Sequence, residues 1–336
     1  MRIKVALSAI AISTLVLVSS PAIGDQFGVP NENARGYWTA DKMAKATPIE
    51  LVVDEKTGIG KIEPAARSKG GGSGTISGST TIVAATDWPE GSSIAQTAVG
   101  KVFFTIGSAG YVCSGSLVKE NDSNRAIVLT AGHCVWAQSR SGGSFVTNWA
   151  FVPNYDGNTK NPIWTAKALV VRNEFASQTT FNATALANDW AFAVLNPNNS
   201  TSPAFPDGVN SSNAYELLTN GFTSGATSFA FGYPAALPFD GFRLIYAGAT
   251  IFIDPNTKTT WGMNSTMTGG ASGGPWLSNG ASTDGLDFGS AGKLSSLNSY
   301  KYNTDSTKMY GPFFNTRTAT TFNTSLTVNT NTRVSN

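Results

Sequence analysis

The sequence predicts an all-β protein, and three observations carry that prediction. From residue 82 onward, short runs rich in Val, Ile, Phe, Tyr and Trp alternate with breaks rich in Gly, Pro, Asn and Asp. Only one segment of that region, 214–218, has helix-like spacing. Charged residues make up just 13% of the chain, and Ser, Thr, Asn and Gly fill the intervals, as in extracellular β proteins with many short loops. Many short strands and almost no helix define a sandwich or a barrel.

Taken in order, residues 1–24 read as a secretory signal. Arg2 and Lys4 give a positive start, an apolar run follows over 5–18, and Ala22-Ile23-Gly24 offers small residues for cleavage after Gly24. The apolar run is shorter than the ~20 residues a membrane-spanning helix needs. The expectation is a secreted, extracellular chain with no membrane partner. Residues 25–75 read as a propeptide with a glycine-rich connector. Within them, 37–46 predicts a short helix with Thr39 as N-cap. The stretch 51–62 is charged and broken by Gly58 and Gly60, and 69–75 has the composition of a flexible connector. The other reading of 25–75 is an extension that stays attached.

Charge narrows the partners. The chain carries 23 basic and 21 acidic side chains, of which residues 1–69 hold nine and seven, leaving 14 of each beyond Lys69. A balanced body of this kind offers no basic face for nucleic acid or an anionic membrane. Strands are expected at 100–106, 111–118, 126–130, 144–153, 166–172, 190–195, 228–233, 244–252, 274–277 and 285–297.

Two cysteines in an exported chain suggest one disulfide, between Cys113 and Cys134, two free thiols being the alternative. No metal site is expected from one histidine, two cysteines and scattered carboxylates, and no cofactor is implied.

The single histidine, His133, lies in Leu129-Thr130-Ala131-Gly132-His133-Cys134-Val135. A serine, Ser272, lies in Thr268-Gly269-Gly270-Ala271-Ser272-Gly273-Gly274-Pro275. A serine hydroxyl attacks nothing at neutral pH without a base, and imidazole titrates in the right range to serve as one. The glycines around Ser272 permit a tight backbone path that can aim two amides at one point. An acid to orient the imidazole is offered by Asn188-Asp189-Trp190-Ala191-Phe192-Ala193-Val194, with Asp156 in a turn-like setting as the competitor.

These segments resemble the trypsin/chymotrypsin-like serine proteases over roughly residues 97–315, in the histidine motif T-A-[AG]-H-C, the serine motif G-x-S-G-G-P and the aspartate segment D-[IW]-A-x-x-x-[VL]. The order His133, Asp189, Ser272 is that of the chymotrypsin group. The resemblance implies two packed six-stranded antiparallel barrels, over 76–205 and 206–336, with the break near 196–213. It implies catalysis by His133, Asp189 and Ser272 and an oxyanion hole from the N–H groups of Gly270 and Ser272. It further implies a bridge from Cys113 to Cys134 that ties the histidine turn to the preceding strand. The layout of 25–75 resembles leaders of bacterial proteases related to the V8-type glutamyl endopeptidases.

The pattern also departs from animal trypsins. Ala271 replaces the aspartate that pairs there with a freed N-terminus, so maturation is expected to proceed without that ion pair. At the base of the specificity pocket stands Thr266 and not an aspartate, so no strong basic preference is expected. The pocket wall is expected to include Ser299, Tyr300 and Lys301, with Ser299 supporting Asp189. Lys301 offers a cation for an acidic side chain, although an exposed lysine is the ordinary outcome. The expected activity is a secreted serine endopeptidase acting as a monomer on protein or peptide substrates, with its own propeptide as an intramolecular partner. The alternatives are a non-catalytic binding or adhesion protein of the same fold, or a serine esterase.

Overall fold

The computed structural model describes residues 34–66, 85–89, 94–121, 125–157, 162–197, 205, 210–278 and 291–335. The signal at 1–24, the connector at 69–75, most of 196–213 and the start of the expected strand 285–297 lie outside these residues.

The described residues begin with helix α1 (Ala34–Tyr37) and helix α2 (Ala40–Lys45). Thr39 caps α2, its side chain accepting from the Lys42 N–H. Two strands then form a hairpin, β1 (Thr47–Asp54) and β2 (Ile59–Pro64), paired from Ile49↔Pro64 to Asp54↔Ile59. The interrupted stretch 51–62 is therefore mostly strand, turning over at Gly58, whose φ of +66° is one that side chains resist.

A closed six-stranded antiparallel barrel follows. Its strands are β3 (Val99–Ile106), β4 (Ala109–Val118), β5 (Ile127–Thr130), β6 (Thr147–Pro153), β7 (Trp164–Arg172) and β8 (Ala191–Leu195). Pairing runs β3–β4–β5–β8–β7–β6 and back to β3, so no edge is left open. Val102, Leu117, Val128, Phe151, Val170 and Phe192 are all fully buried.

The second lobe contains β9 (Thr227–Gly232), β10 (Ile245–Thr250), β11 (Thr260–Asn264), β12 (Pro275–Ser278), β13 (Lys293–Leu297), β14 (Tyr300–Tyr302) and β15 (Asp305–Pro312). One sheet runs β13–β12–β9–β10, and β11–β15–β14 forms an antiparallel meander. The chain ends with helix α3 (Thr316–Ser325), capped by a reciprocal Asn315–Thr318 box, and strand β16 (Thr332–Val334) alongside β7.

Two details differ from the expectations. The segment 214–218 is not helical, because Tyr215 bridges to Val118 and Leu217 to Leu294, tying the lobes together as single β-bridges. Among the described residues the helix of more than two turns is α3, whose threonine-rich sequence gives little intrinsic propensity and is held by its cap and by packing on the barrel. Between the lobes runs β1, parallel to β4 at Thr47↔Tyr111 and Pro48↔Val112, then parallel to β14 from Leu51↔Tyr300 to Val53↔Tyr302.

Candidate active site

His133 stands in a 3-10 turn, Gly132–Cys134, immediately after β5. Its Nδ1 lies 2.8 Å from Asp189 Oδ2, and its backbone N–H donates to Asp189 Oδ1 at 2.8 Å. Two donors from one residue fix both the ring and the turn that carries it. Gly132 is what lets the carboxylate approach, since a Cβ there would sit 3.0 Å from Asp189 Oδ1 and 3.1 Å from the Phe175 ring. Asp189 arrives from the other side. A short helix, Ala183–Ala187, is capped by the Asn182 side chain, and the chain then turns into β8. The carboxylate is fully buried, and Ser299 Oγ donates to its Oδ2 at 2.5 Å. Asp189, not Asp156, is the acid that reaches the imidazole.

Disulfide Cys113–Cys134 ties the histidine turn to β4, with an S–S distance of 2.04 Å. With both sulfurs bridged, the cluster of Cys113, His133 and Cys134 has no thiolate to offer a metal. Beside it, β4 grips the serine loop of the other lobe. The Ser114 N–H donates to the Ser272 carbonyl at 2.7 Å, and Ser114 Oγ donates to the Gly270 carbonyl at 2.8 Å. The Ser272 carbonyl lies 3.8 Å from Cys134 Sγ, so the serine loop abuts the histidine turn. On the far side, Asn298 holds the loop through Nδ2 to the Ala271 carbonyl and through its own carbonyl to the Gly273 N–H.

This grip places Gly270 at φ +98°. Its N–H donates at 3.0 Å to the carbonyl oxygen of Ile49 in β1. Nε2 of His133 is buried and has no hydrogen-bond partner among the described residues. Beside it opens a cleft of about 550 Å³ lined by Ile49, Ile62, Tyr111, His133, Trp136 and Phe181. The site thus lies under a cover supplied by the chain's own N-terminal hairpin.

The four expected pocket residues part company. Ser299 turns inward to Asp189. Tyr300 points away into the second lobe, where its hydroxyl donates to Asp254 Oδ2 at 2.5 Å next to that of Tyr302. Burial and the Asp254 charge hold both phenols far above their ordinary range, so they remain neutral donors. Thr266 has a buried hydroxyl with no hydrogen-bond partner among the described residues.

Lys301 corrects the expectation of an exposed lysine: it is 4% exposed, and its ammonium donates to the carbonyls of Ser306 (2.7 Å) and Ser265 (3.3 Å). Burial lowers its pKa, while Glu50 and Asp305 pull the other way. Glu50, in β1, has its carboxyl raised by burial and by Glu63, against the pull of Lys301. Ile49 and Glu50 of the N-terminal hairpin thus border this site. Both lie just before the interrupted stretch 51–62, and the sequence did not mark them out.

The chain belongs to the trypsin-like, chymotrypsin-fold family of serine proteases. A family model described as lysyl endopeptidase, C-terminal domain, matches residues 77–220. The structure resembles the protease Anisep from Arthrobacter nicotinovorans, with 35% identity and a TM-score of 0.55 over 69% of this chain and 96% of that one. It also resembles a thermostable serine protease, AL20, from an extremophilic microorganism, with 33% identity and a TM-score of 0.57 over 70% and 99% of the two chains. A Glu endopeptidase shares the fold at 15% identity, with a TM-score of 0.51 over 73% of this chain and 98% of that one. Among curated proteins none matches. The chain is accordingly a peptidase, a hydrolase whose substrates are proteins. No helix among the described residues is long and apolar enough to cross a membrane.

Proposed function

We propose that the protein is a secreted serine endopeptidase made as a zymogen, with residues 1–24 as signal peptide and 25–75 as a removable leader. The observation that carries the catalytic assignment is the carboxylate of Asp189, which accepts from His133 twice and from Ser299 once in full burial. An aspartate so placed fixes the tautomer in which Nδ1 carries the proton and Nε2 is free to accept one.

Ser272 Oγ attacks the carbonyl carbon of the scissile bond while its proton passes to His133 Nε2. The developing oxyanion is held by the N–H groups of Gly270 and Ser272, each such donor contributing about 3 kcal/mol to lowering the barrier. Collapse of the tetrahedral intermediate breaks the C–N bond, and His133 gives its proton to the leaving amine. Water then attacks the acyl-enzyme, losing a proton to Nε2, and Ser272 is regenerated. Throughout, Asp189 stabilises the imidazolium without taking its proton.

A preference for lysine, as in lysyl endopeptidases, is not carried over, because Lys301 sets a cation in the expected pocket wall and Thr266 replaces an acid at its base. A fluorophosphonate probe tests the proposal. Labelling of the processed protein that is lost in Ser272→Ala supports it. Absence of labelling in processed protein refutes it and favours a binding protein on the same fold, and turnover of esters with no peptide cleavage favours an esterase.

A further inference from the structure

We infer that the leader hairpin, β1 with β2, is a reversed-strand inhibitor that fills the substrate cleft in the direction opposite to a cleavable peptide. The inference rests on the serine-protease reading above and says what covers that site.

Three observations converge on it. First, the Ile49 carbonyl occupies the Gly270 N–H, the donor assigned to the oxyanion, at 3.0 Å. Second, β1 continues both lobes as a strand, against β4 before that carbonyl and against β14 after it. Third, the hairpin is anchored well beyond the hole. Gly60 N–H donates to the Phe181 carbonyl at 2.8 Å, Asn303 N–H to the Val53 carbonyl at 2.9 Å, and Leu237 N–H to the Ala66 carbonyl at 3.3 Å. Trp38 donates to the Asn148 carbonyl at 2.6 Å and packs on Phe103. Ile49, Leu51 and Val53 are buried to 1% exposure or less.

Chain direction is the decisive feature. The imidazole lies on the β4 side of the hole, because Cys134 beside it is bonded to Cys113 of β4. A peptide set for hydrolysis must present its leaving nitrogen to that imidazole. The residue after its hole-bound carbonyl therefore goes toward β4, and the residues before that carbonyl lie along β14, antiparallel to it. The leader does the reverse. Residues before the Ile49 carbonyl lie against β4 and those after it run parallel to β14. The chain after the Ile49 carbonyl, beginning with the nitrogen of Glu50, leads toward β14, the direction opposite to the one a leaving group takes toward His133. The Ile49–Glu50 bond is seated in the hole yet has no competent acid for its leaving group, so the hairpin blocks the cleft without being consumed there.

The test compares Ser272 labelling by a fluorophosphonate in the full chain, in the full chain carrying Leu51→Asp with Val53→Asp, and in the processed protein. A tethered segment competes at about millimolar effective concentration, so dislodging it is expected to speed labelling about a hundredfold, toward the processed rate. Equal, fast labelling of the unaltered and altered full chains, matching the processed protein, overturns the inference and leaves the protease reading intact. No labelling of any form overturns both. If the altered chain fails to fold, the Gly270 amide of the unaltered full chain decides between the outcomes. Hydrogen exchange at that amide should be slow and become fast on processing, and fast exchange in the full chain overturns the inference. Mass spectrometry of the full chain incubated with processed protein gives the direction. An intact Ile49–Glu50 bond, with cuts elsewhere in the leader, supports reversal, and a cut at that bond overturns it.

Discussion

Replacing Asp189 with asparagine tests the catalytic reading most sharply, because the substitution keeps volume and shape and changes only which atoms accept protons. The carboxylate takes His133 N–H on Oδ1 and both His133 Nδ1–H and Ser299 Oγ–H on Oδ2. An asparagine that keeps its oxygen on the His133 N–H must turn its NH₂ toward Nδ1, which then has to act as acceptor. The ring proton moves to Nε2, and the base can no longer accept from Ser272. A wrong-tautomer loss of this kind is about 10⁴-fold in kcat, or about 5.4 kcal/mol of barrier at 1.36 kcal/mol per decade. The cost in stability should be smaller, about 1–3 kcal/mol, since one hydrogen bond to a charge is lost outright and the others are rearranged. Peptide turnover by the processed protein gives the first quantity and thermal unfolding the second. An Asp189→Asn protein with kcat/KM within about tenfold of the parent would refute the assignment.

Other outcomes follow from the same geometry. Gly270→Ala should lower kcat by about 10²–10³, because its Cβ meets the Ala235 nitrogen and the Tyr233 carbonyl at 3.0 Å and tilts the N–H out of the hole; unchanged kcat on processed protein counts against the hole. Reducing Cys113–Cys134 should cost about 3 kcal/mol on the chain-entropy account and lower the unfolding temperature, as calorimetry with and without reductant would show. Leader docking should also depend on pH through Glu50, whose carboxyl is raised by burial and Glu63 and opposed by Lys301. The docked state then binds the proton more tightly than the released state, so docking is strongest below the ordinary carboxylate value and weakens as pH rises through the raised one. The ratio of full-chain to processed labelling should rise as pH climbs above the ordinary carboxylate range and flatten in Glu50→Gln; a ratio that falls contradicts this sign.

The motifs were legible because each encodes a local backbone requirement. Ala131-Gly132-His133-Cys134 needs a tight turn with room for a carboxylate behind it, and Gly269 to Gly274 needs backbone that side chains resist. Asp189 was singled out by the strand segment that follows it, and Ser299 only by the family resemblance; the structure sets both against the His133 turn. The apolar runs of the first barrel marked their own strands, since each is buried over most of its length.

What the sequence could not announce is anything stabilised by partners distant along the chain. Leu51 to Ile62 carries a charged run, Asp54-Glu55-Lys56, and two glycines, which locally argues against a strand. It becomes a hairpin because Tyr111, Gly270 and Tyr300, brought together only by the folded lobes, offer it unpaired backbone groups. Lys301 is buried for a similar reason, its ammonium satisfied by two carbonyls on neighbouring turns. The sequence alone therefore determined the chemistry available, one imidazole, one glycine-framed serine and one strand-backed aspartate. Only the tertiary structure decided the orientation of the strand that covers them, because direction in a cleft is a property of pairing between remote segments and leaves no local signature.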